Sequence, residues 1–181
     1  MIGVLALQGG FEAHTKALAE LGAEVREVRV PADLEGLDGL VLPGGESTTI
    51  TLGVEREGLA DPLGEFARSG RPVLGTCAGM IMLDRDHLGL LDISVRRNAF
   101  GRQLASFEAE LEFPDGPLHA VFIRAPWVED LGEDVEVLAS VHGHPVAIRQ
   151  DNITAVSFHP ELTGERRLHR WLLDQARVPT R

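Results

Sequence analysis

Short apolar runs alternate with amphipathic segments along the first half of the chain. Apolar residues dominate positions 2–7, and segment 12–21 then carries them at helical spacing until Gly22 ends the pattern. The same alternation predicts further strands at 24–28, Gly39–Leu42 and 72–74, and a helix over 61–67. Short buried strands separated by amphipathic helices are typical of a parallel sheet covered by helices on both faces.

The pattern changes in the second half of the chain. Strand-like segments separated by Gly, Pro and Asp follow one another at 107–111, 120–123, 135–141, 145–148 and 153–158, and an amphipathic helix over 166–176 closes the chain. Consecutive strands joined by turns predict antiparallel pairing. We therefore expect a three-layer, flavodoxin-like α/β fold: a mostly parallel central sheet, helices on both faces and a small antiparallel extension.

Length and composition narrow the classes of function. A chain of 181 residues predicts one domain, 1–181, and its net charge of −11 argues against a nucleic-acid partner. No apolar run approaches the roughly 18 residues of a membrane span, and the apolar start lacks the basic residues of an export signal. The single cysteine excludes an internal disulfide framework and favours a reducing, cytoplasmic setting.

That cysteine, Cys77, lies in "GTCAG", directly after the predicted strand 72–74. Gly-x-nucleophile-x-Gly is the pattern of a sharp strand-to-helix turn that exposes its central side chain. A helix N-terminus there would favour the thiolate, and the backbone N–H of Ala78 could stabilise an oxyanion. The alternative is a structural cysteine, because a lone cysteine often behaves as a small buried apolar residue.

A nucleophilic cysteine needs a base and a group that orients the base, and "SFHPELT" offers both. Pro160 favours extended geometry at His159, so the side chains of His159 and Glu161 should project to the same side. Glu161 would then hold the tautomer of His159 whose free nitrogen accepts the Cys77 proton. We interpret the other histidines as surface or packing residues: His14, His87, His119, His142, His144 and His169.

The sequence gives little support for a metal site. A zinc deaminase also carries a His-x-Glu pair, but it needs a Pro-Cys-x-x-Cys element that a chain with one cysteine cannot supply. His142 and His144 form a loose pair with no apparent third ligand. We therefore expect no metal.

A second glycine-rich turn, "VLPGGESTT", follows the predicted strand Gly39–Leu42, at the edge where open α/β sheets bind ligands. Its backbone N–H groups could complete an oxyanion hole, and Ser47, Thr48 or Thr49 could cap the helix that follows. A phosphate-binding loop is the competing interpretation, but it would end in Gly-Lys-Ser/Thr, and Glu46 would repel phosphate. Judged alone, the loop could also be only a turn and a helix cap.

Together these segments resemble a known family. The motifs "LALQG", "PGGESTT", "GTCAG", "RNAFGRQ", "VFIRAP" and "SFHPELT" stand in the order found in the glutaminase subunits of pyridoxal 5′-phosphate synthase, the PdxT/SNO family. That family belongs to the class I (triad) glutamine amidotransferases, and the resemblance spans nearly the whole chain. "RNAFGRQ" and "VFIRAP" are the specific motifs, because a generic glutaminase domain would share only the glycine loop, the cysteine turn and the His-Pro-Glu.

The resemblance implies that the chain hydrolyses L-glutamine to L-glutamate and ammonia through a triad of Cys77, His159 and Glu161. The intermediate would be a glutamyl thioester, and the backbone N–H groups of Gly45 and Ala78 would form the oxyanion hole. Arg97 suits the α-carboxylate of glutamine and Glu46 its α-ammonium, although solvated surface charge is the alternative for Arg97 and Arg124. The implied glutamine site comprises Gly45, Glu46, Ser47, Arg97, Ile123 and Arg124.

The resemblance also implies a partner. Ammonia would pass to a separate (β/α)₈-barrel synthase subunit of the PdxS/SNZ type, so pyridoxal 5′-phosphate would be the product of that partner, and we expect no cofactor in this chain. Gln8 is our candidate for coupling docking to the active site.

The sequence departs from the family pattern at two places. Ala13 replaces the glutamate that usually precedes His14, which weakens the case for partner contacts on that helix. The connection 84–91 is shorter than is usual in the family, and we interpret it as a trimmed surface loop.

Three other functions remain open from sequence. The chain could be the glutaminase subunit of another amidotransferase, such as imidazole glycerol phosphate synthase, although the two specific motifs disfavour this. A cysteine peptidase or a related thiol protein with a similar turn would have no need of glutamine-site residues. A non-catalytic regulatory binding module would have no need of an intact triad.

Overall fold

Strands and helices alternate through the first 83 residues of the structure, a computed structural model that describes residues 1–101 and 105–177. The strands are β1 (Ile2–Leu5), β2 (Val25–Val28), β3 (Gly39–Leu42), β4 (Val73–Thr76), β5 (Ile93–Arg96), β6 (Ser106–Phe113), β7 (Gly116–Ile123), β8 (Trp127–Leu131), β9 (Glu136–Val141), β10 (His144–Gln150) and β11 (Ile153–Val156). The α-helices are α1 (Phe11–Glu20), α2 (Ser47–Arg56), α3 (Ala60–Arg68), α4 (Ala78–Leu83) and α5 (Arg167–Ala176). Short 3₁₀ helices cover Pro31–Leu34 and Pro160–Leu162.

The central sheet is built on strands that are buried along their whole length. Every residue of β1, β3, β4 and β11 is buried, as expected for parallel strands covered on both faces. The sheet order is β2-β1-β3-β4-β11-β10-β9. Pairing is parallel from β2 to β11 and antiparallel from β11 to β9.

Two apolar clusters lie on opposite faces of this sheet. One contains Ile50 of α2, Phe66 of α3 and Met80 of α4, and the other contains Leu18 of α1 and Leu172 of α5. The three-layer α/β architecture expected from the sequence is therefore confirmed. Within the described ranges, the structure has no helix that is both long and apolar enough to cross a membrane.

The second half of the chain supplies the antiparallel extension that its sequence predicts. Strands β9 and β10 extend the main sheet, while β6 pairs with β7 and β5 with β8 in two small antiparallel sheets. The strand expected at 153–158 is shorter and differently placed: β11 ends at Val156 and joins the parallel part beside β4. Its complete burial suits that central position.

The parallel arrangement brings the loops after four strands to one edge of the sheet. Gln8 follows β1, Gly44 follows β3, Cys77 follows β4 and His159 follows β11. Loops at the carboxyl ends of parallel strands are the usual location of ligand sites in open α/β sheets. The candidate catalytic residues thus meet because of the topology.

Candidate active site

Cys77 occupies a sharp turn between β4 and α4. Its backbone has φ 49° and ψ −107°, a conformation that costs a residue with a side chain about 1–3 kcal/mol. The Cys77 N–H donates to the carbonyl of Val156 at 2.8 Å, which anchors the turn to β11. A side chain at Gly79 would collide with the backbone carbonyl of Leu42, so glycine lets α4 approach β3. The strand-turn-helix geometry predicted from "GTCAG" is present.

His159 and Glu161 form a hydrogen-bonded pair beside this turn. His159 Nδ1 lies 2.7 Å from Glu161 Oε1, and the Glu161 side chain is almost fully buried. The pairing does not use the extended geometry expected from Pro160, because Pro160–Leu162 forms a 3₁₀ helix directly after His159. A tight turn, rather than an extended segment, brings the two side chains together.

Charge within the triad favours a protonated His159. Burial lowers the pKa of His159, but hydrogen bonds to Cys77 and Glu161 outweigh this effect and raise the pKa to about 10. Burial raises the pKa of Glu161, but the hydrogen bond to His159 and the nearby His14 outweigh this effect. The pKa of Glu161 is therefore lowered overall. The site is thus suited to an imidazolium held between the Glu161 carboxylate and Cys77.

Three residues behind the triad were not identified as site residues from the sequence. His14 Nε2 lies 3.3 Å from Glu161 Oε2 and 3.0 Å from Thr76 Oγ1, and His14 Nδ1 lies 2.9 Å from His169 Nε2. Both histidines are completely buried, so of the two interpretations, surface or packing, packing is the one that applies to them. Their contact with the triad was not predicted. The available signal was their position: each histidine stands within the buried apolar stripe of its helix.

The loop after β3 packs against the catalytic side chains. The Gly44 N–H donates to Thr76 Oγ1 at 3.1 Å, and the Gly44 carbonyl accepts from the Gly10 N–H at 2.9 Å. Because the C=O and N–H of a trans peptide point in opposite directions, the N–H of Gly45 points away from Gly10. The next N–H, that of Glu46, donates to Gln8 Oε1 at 2.7 Å.

Glu46 is the N-cap of α2. Its carboxylate accepts hydrogen bonds from the backbone N–H groups of Thr48 and Thr49 at 3.1 and 2.7 Å. Hydrogen bonds from the hydroxyl and backbone of Thr49, and then from Thr48, lower the pKa of Glu46 to about 2. The expectation that Ser47, Thr48 or Thr49 caps the helix is therefore wrong, because the glutamate side chain already fills that position.

A cleft of about 290 Å³ opens above Cys77. The guanidinium of Arg97 lies 3.4 Å from the Glu46 carboxylate in the cleft wall, and Cys77 Sγ lies 4.0 Å from the carbonyl of Ile123. The sequence did not single out two lining residues, Ile81 and Asn98. The predicted residues that line the cleft are Gln8, Gly45, Glu46, Ser47, Cys77, Ala78, Arg97, Ile123, Arg124 and His159.

Not every predicted residue faces this cleft. Glu161 lies behind His159, where it contacts the ring nitrogen that points away from the thiol. Arg102 and Gln103, the last two residues of "RNAFGRQ", lie outside the described residues.

Among the described residues, no group of three His, Cys, Asp or Glu side chains is arranged to hold a metal ion.

Comparison with known families agrees with this geometry. A family model described as "SNO glutamine amidotransferase family" matches residues 4–178, nearly the entire chain. The chain belongs to the SNO glutamine amidotransferase family. The resemblance identified from the sequence is thereby confirmed, and so is the class of enzyme.

Similar proteins match over nearly their full length. The chain is 54% identical to "Pyridoxal 5′-phosphate synthase subunit PdxT" of Mycobacteroides abscessus, with 98% of each chain covered. It is 52% identical to the subunit of the same name from Salinispora tropica, covering 98% of this chain and 97% of the relative. A solved structure described as "Crystal structure of glutamine amidotransferase" superimposes with a TM-score of 0.92 at 49% identity, covering 98% of this chain and 99% of that one.

Proposed function

We propose that this chain is the glutaminase subunit of a pyridoxal 5′-phosphate synthase and that it hydrolyses L-glutamine through Cys77, His159 and Glu161. The observation that carries the proposal is the triad geometry, in which Cys77 stands on a strained turn at the cleft and His159 is paired with the buried Glu161. The names of the full-length relatives support the choice of synthase.

The first half of the reaction forms a thioester. His159 takes the proton of Cys77, and the resulting thiolate attacks the side-chain carbonyl carbon of glutamine. The protonated His159 then donates that proton to the amide nitrogen as the C–N bond breaks. Ammonia leaves, and a glutamyl thioester remains on Cys77. Glu161 keeps the His159 ring oriented and stabilises its positive charge.

The second half of the reaction consumes water. His159, now neutral, accepts a proton from a water molecule whose oxygen attacks the thioester carbonyl. The C–S bond then breaks, glutamate leaves and the thiolate of Cys77 is restored beside the protonated His159. The same imidazole thus protonates the leaving group in the first half and deprotonates water in the second.

Two backbone N–H groups would stabilise the tetrahedral intermediates. Ala78 begins α4 directly after the nucleophile, and Gly45 lines the cleft with its N–H directed away from Gly10. Each well-aligned donor of this type contributes about 3 kcal/mol to stabilising the transition state.

The charged pair in the cleft wall suits a free amino acid. Arg97 would bind the α-carboxylate of glutamine, and Glu46 would bind the α-ammonium while it continues to cap α2. Ser47, Ile123 and Arg124 would complete the walls of the glutamine site. A cation and an anion 3.4 Å apart offer complementary charges to a zwitterion.

Ammonia would be delivered to a (β/α)₈-barrel synthase subunit of the PdxS/SNZ type, which makes pyridoxal 5′-phosphate. The vitamin would be that partner's product, and this chain would need no cofactor. Gln8 would couple docking to the active site; its side-chain carbonyl accepts the Glu46 N–H, next to the proposed oxyanion donor Gly45, which supports this role.

Glutamate release from glutamine tests the proposal, measured with and without the synthase subunit. We expect release that rises when the synthase is added and that disappears in Cys77→Ala. Glutamate release at the same rate with and without the synthase would indicate a different amidotransferase partner. No release from a verified complex would overturn the enzymatic role and leave a binding module.

A further inference from the structure

The triad is backed by a buried polar network that the proposed chemistry does not use. His14 contacts Glu161 on one side, His169 on another and Thr76 on a third. Thr76 Oγ1 in turn accepts the Gly44 N–H at 3.1 Å. His14 therefore stands between the triad carboxylate and the loop that carries the proposed oxyanion donor.

The surroundings of His14 select its tautomer. The ring is completely buried, and burial lowers its pKa to about 4, so it is neutral near pH 7 and carries one proton. A bare nitrogen 3.3 Å from the Glu161 carboxylate would be repelled, so the proton belongs on Nε2. The groups that act electrostatically on this ring are Glu161, His159 and Arg166.

The second histidine fits the same assignment. With Nε2 of His14 protonated, its Nδ1 must accept, and His169 donates to it from Nε2 at 2.9 Å. His169 Nδ1 then carries no proton, which agrees with its having no hydrogen-bond partner among the described residues. An unpaired acceptor costs less in the interior than an unpaired donor would.

The Nε2 proton of His14 is shared between two acceptors. The Nε2–H bond is better aligned with Thr76 Oγ1, at 3.0 Å, than with Glu161 Oε2, at 3.3 Å. Glu161 Oε2 is therefore left without a well-aligned donor. A small rotation of one ring would shift this proton from the hydroxyl to the carboxylate. The positions of Glu161 and of the Gly44 loop are consequently linked through a single side chain.

We propose that His14 is a positioning residue that couples the orientation of Glu161 to the placement of the oxyanion loop through Thr76. This rests on the proposed function, since it deepens the role of the same site. Without His14, Glu161 would lose its inner contact, and the Thr76 hydroxyl would be free to turn away from Gly44. Both changes would misplace groups that act on the transition state, with little effect on glutamine binding.

Paired variants of His14 and Thr76 test this coupling in the complex with the synthase subunit. His14→Leu should lower kcat about 100-fold with KM nearly unchanged, a loss typical of groups misplaced by about 1 Å. His14→Gln, whose amide can still donate toward Glu161, should recover much of that loss. Thr76→Val should lower kcat by disturbing the loop, whereas Thr76→Ser should retain activity.

Alkylation of Cys77 by iodoacetamide in the chain alone gives a second measurement that needs no glutamine turnover. Because Glu161 stabilises the protonated His159, His14→Leu should move the pH of half-maximal alkylation upward. Thr76→Val leaves Glu161 as the acceptor of the His14 proton, so the inner contact of Glu161 is kept and that pH should not rise. The exposed His142 provides a control, and His142→Asn should change neither kcat nor the alkylation profile.

These outcomes separate the two proposals. Folded His14→Leu and Thr76→Val proteins, verified by circular dichroism, that keep both kcat and the alkylation profile of the parent would overturn the role of His14. An equal rise of the half-maximal pH in both variants would also overturn it. Absence of glutamine hydrolysis in the parent complex, with a shifted profile in His14→Leu, would instead refute the glutaminase function alone.

Discussion

Gly44 has no side chain because the triad occupies the space that one would need. A methyl group at this position would lie 2.7 Å from His159 Cε1 and 3.2 Å from Cys77 Cβ. The first distance is shorter than packed carbon atoms tolerate, so the imidazole would have to move. We predict that Gly44→Ala lowers kcat for glutamine about 100-fold, because the base is displaced by a fraction of an ångström or more.

A matched glycine separates this effect from a general cost of substitution. A methyl group at Gly164 would meet no atom within 4 Å, so Gly164→Ala should keep the parent's kcat. Steady-state glutamate release from both variants, each in the synthase complex, provides the measurement. Equal kcat values in Gly44→Ala and the parent would show that the loop yields easily and that its contact with His159 is unimportant.

Residues that form the catalytic geometry differ in how far sequence could predict them. Cys77 and the His159–Glu161 pair sit in short motifs whose chemistry depends on neighbours in the chain, so local sequence was enough. His14 and His169 are 155 positions apart and touch only because α1 and α5 pack on the same face of the sheet. No local pattern encodes such a contact.

Among the larger elements, the hairpin of β6 and β7 is attached at its turn to one side chain of α5. Arg167 donates to the carbonyls of Gly116 and Pro117 and pairs with Asp115 at 3.1 Å, and Glu165 holds its guanidinium at 2.9 Å. These contacts fasten the turn of the hairpin to the start of α5. At its other end the hairpin delivers Ile123 to the cleft.

We predict that Arg167→Ala lowers the free energy of unfolding by roughly 1–2 kcal/mol, because several charge-assisted hydrogen bonds are lost and the remaining groups are partly solvated. Hydrogen exchange should accelerate in β6 and β7 more than in the central strands. Arg170 is exposed on the same helix, so Arg170→Ala should change neither quantity appreciably. Matching urea curves for the two variants would contradict the role of Arg167.

The elements that sequence predicted are those with an unambiguous burial pattern. Strands β1, β3 and β4 are buried at every position, and apart from Thr76 at the end of β4 they contain only apolar residues and glycine. Strands β5 and β8 were missed because they pair only with each other and expose most of their polar residues. Their pairing depends on tertiary contacts, which override weak local preference.

On the scale of the whole molecule, burial of His14 and His169 ties stability to pH. Burial is the main cause that lowers the pKa of His14 to about 4 and that of His169 to about 3. Unfolding restores ordinary values near 6.5, so the unfolded chain binds up to two more protons as the pH falls below 6.5. Stability contributed by the neutral histidines is therefore present above pH 6.5 and is lost on acidification.

The range from pH 6.5 to 5.5 isolates this effect, because carboxyl groups titrate mainly below it. His159 and His119 have raised pKa values in the folded chain, and near pH 5.5 they are mostly protonated in the unfolded chain as well, so they contribute little to the slope at that pH. We predict that the free energy of unfolding, from urea titrations, falls with a slope approaching about 2.5 kcal/mol per pH unit near pH 5.5. His169→Gln should roughly halve that slope. The exposed control His142→Asn should leave the slope unchanged. An unchanged slope in His169→Gln would mean that His169 accepts its proton without unfolding.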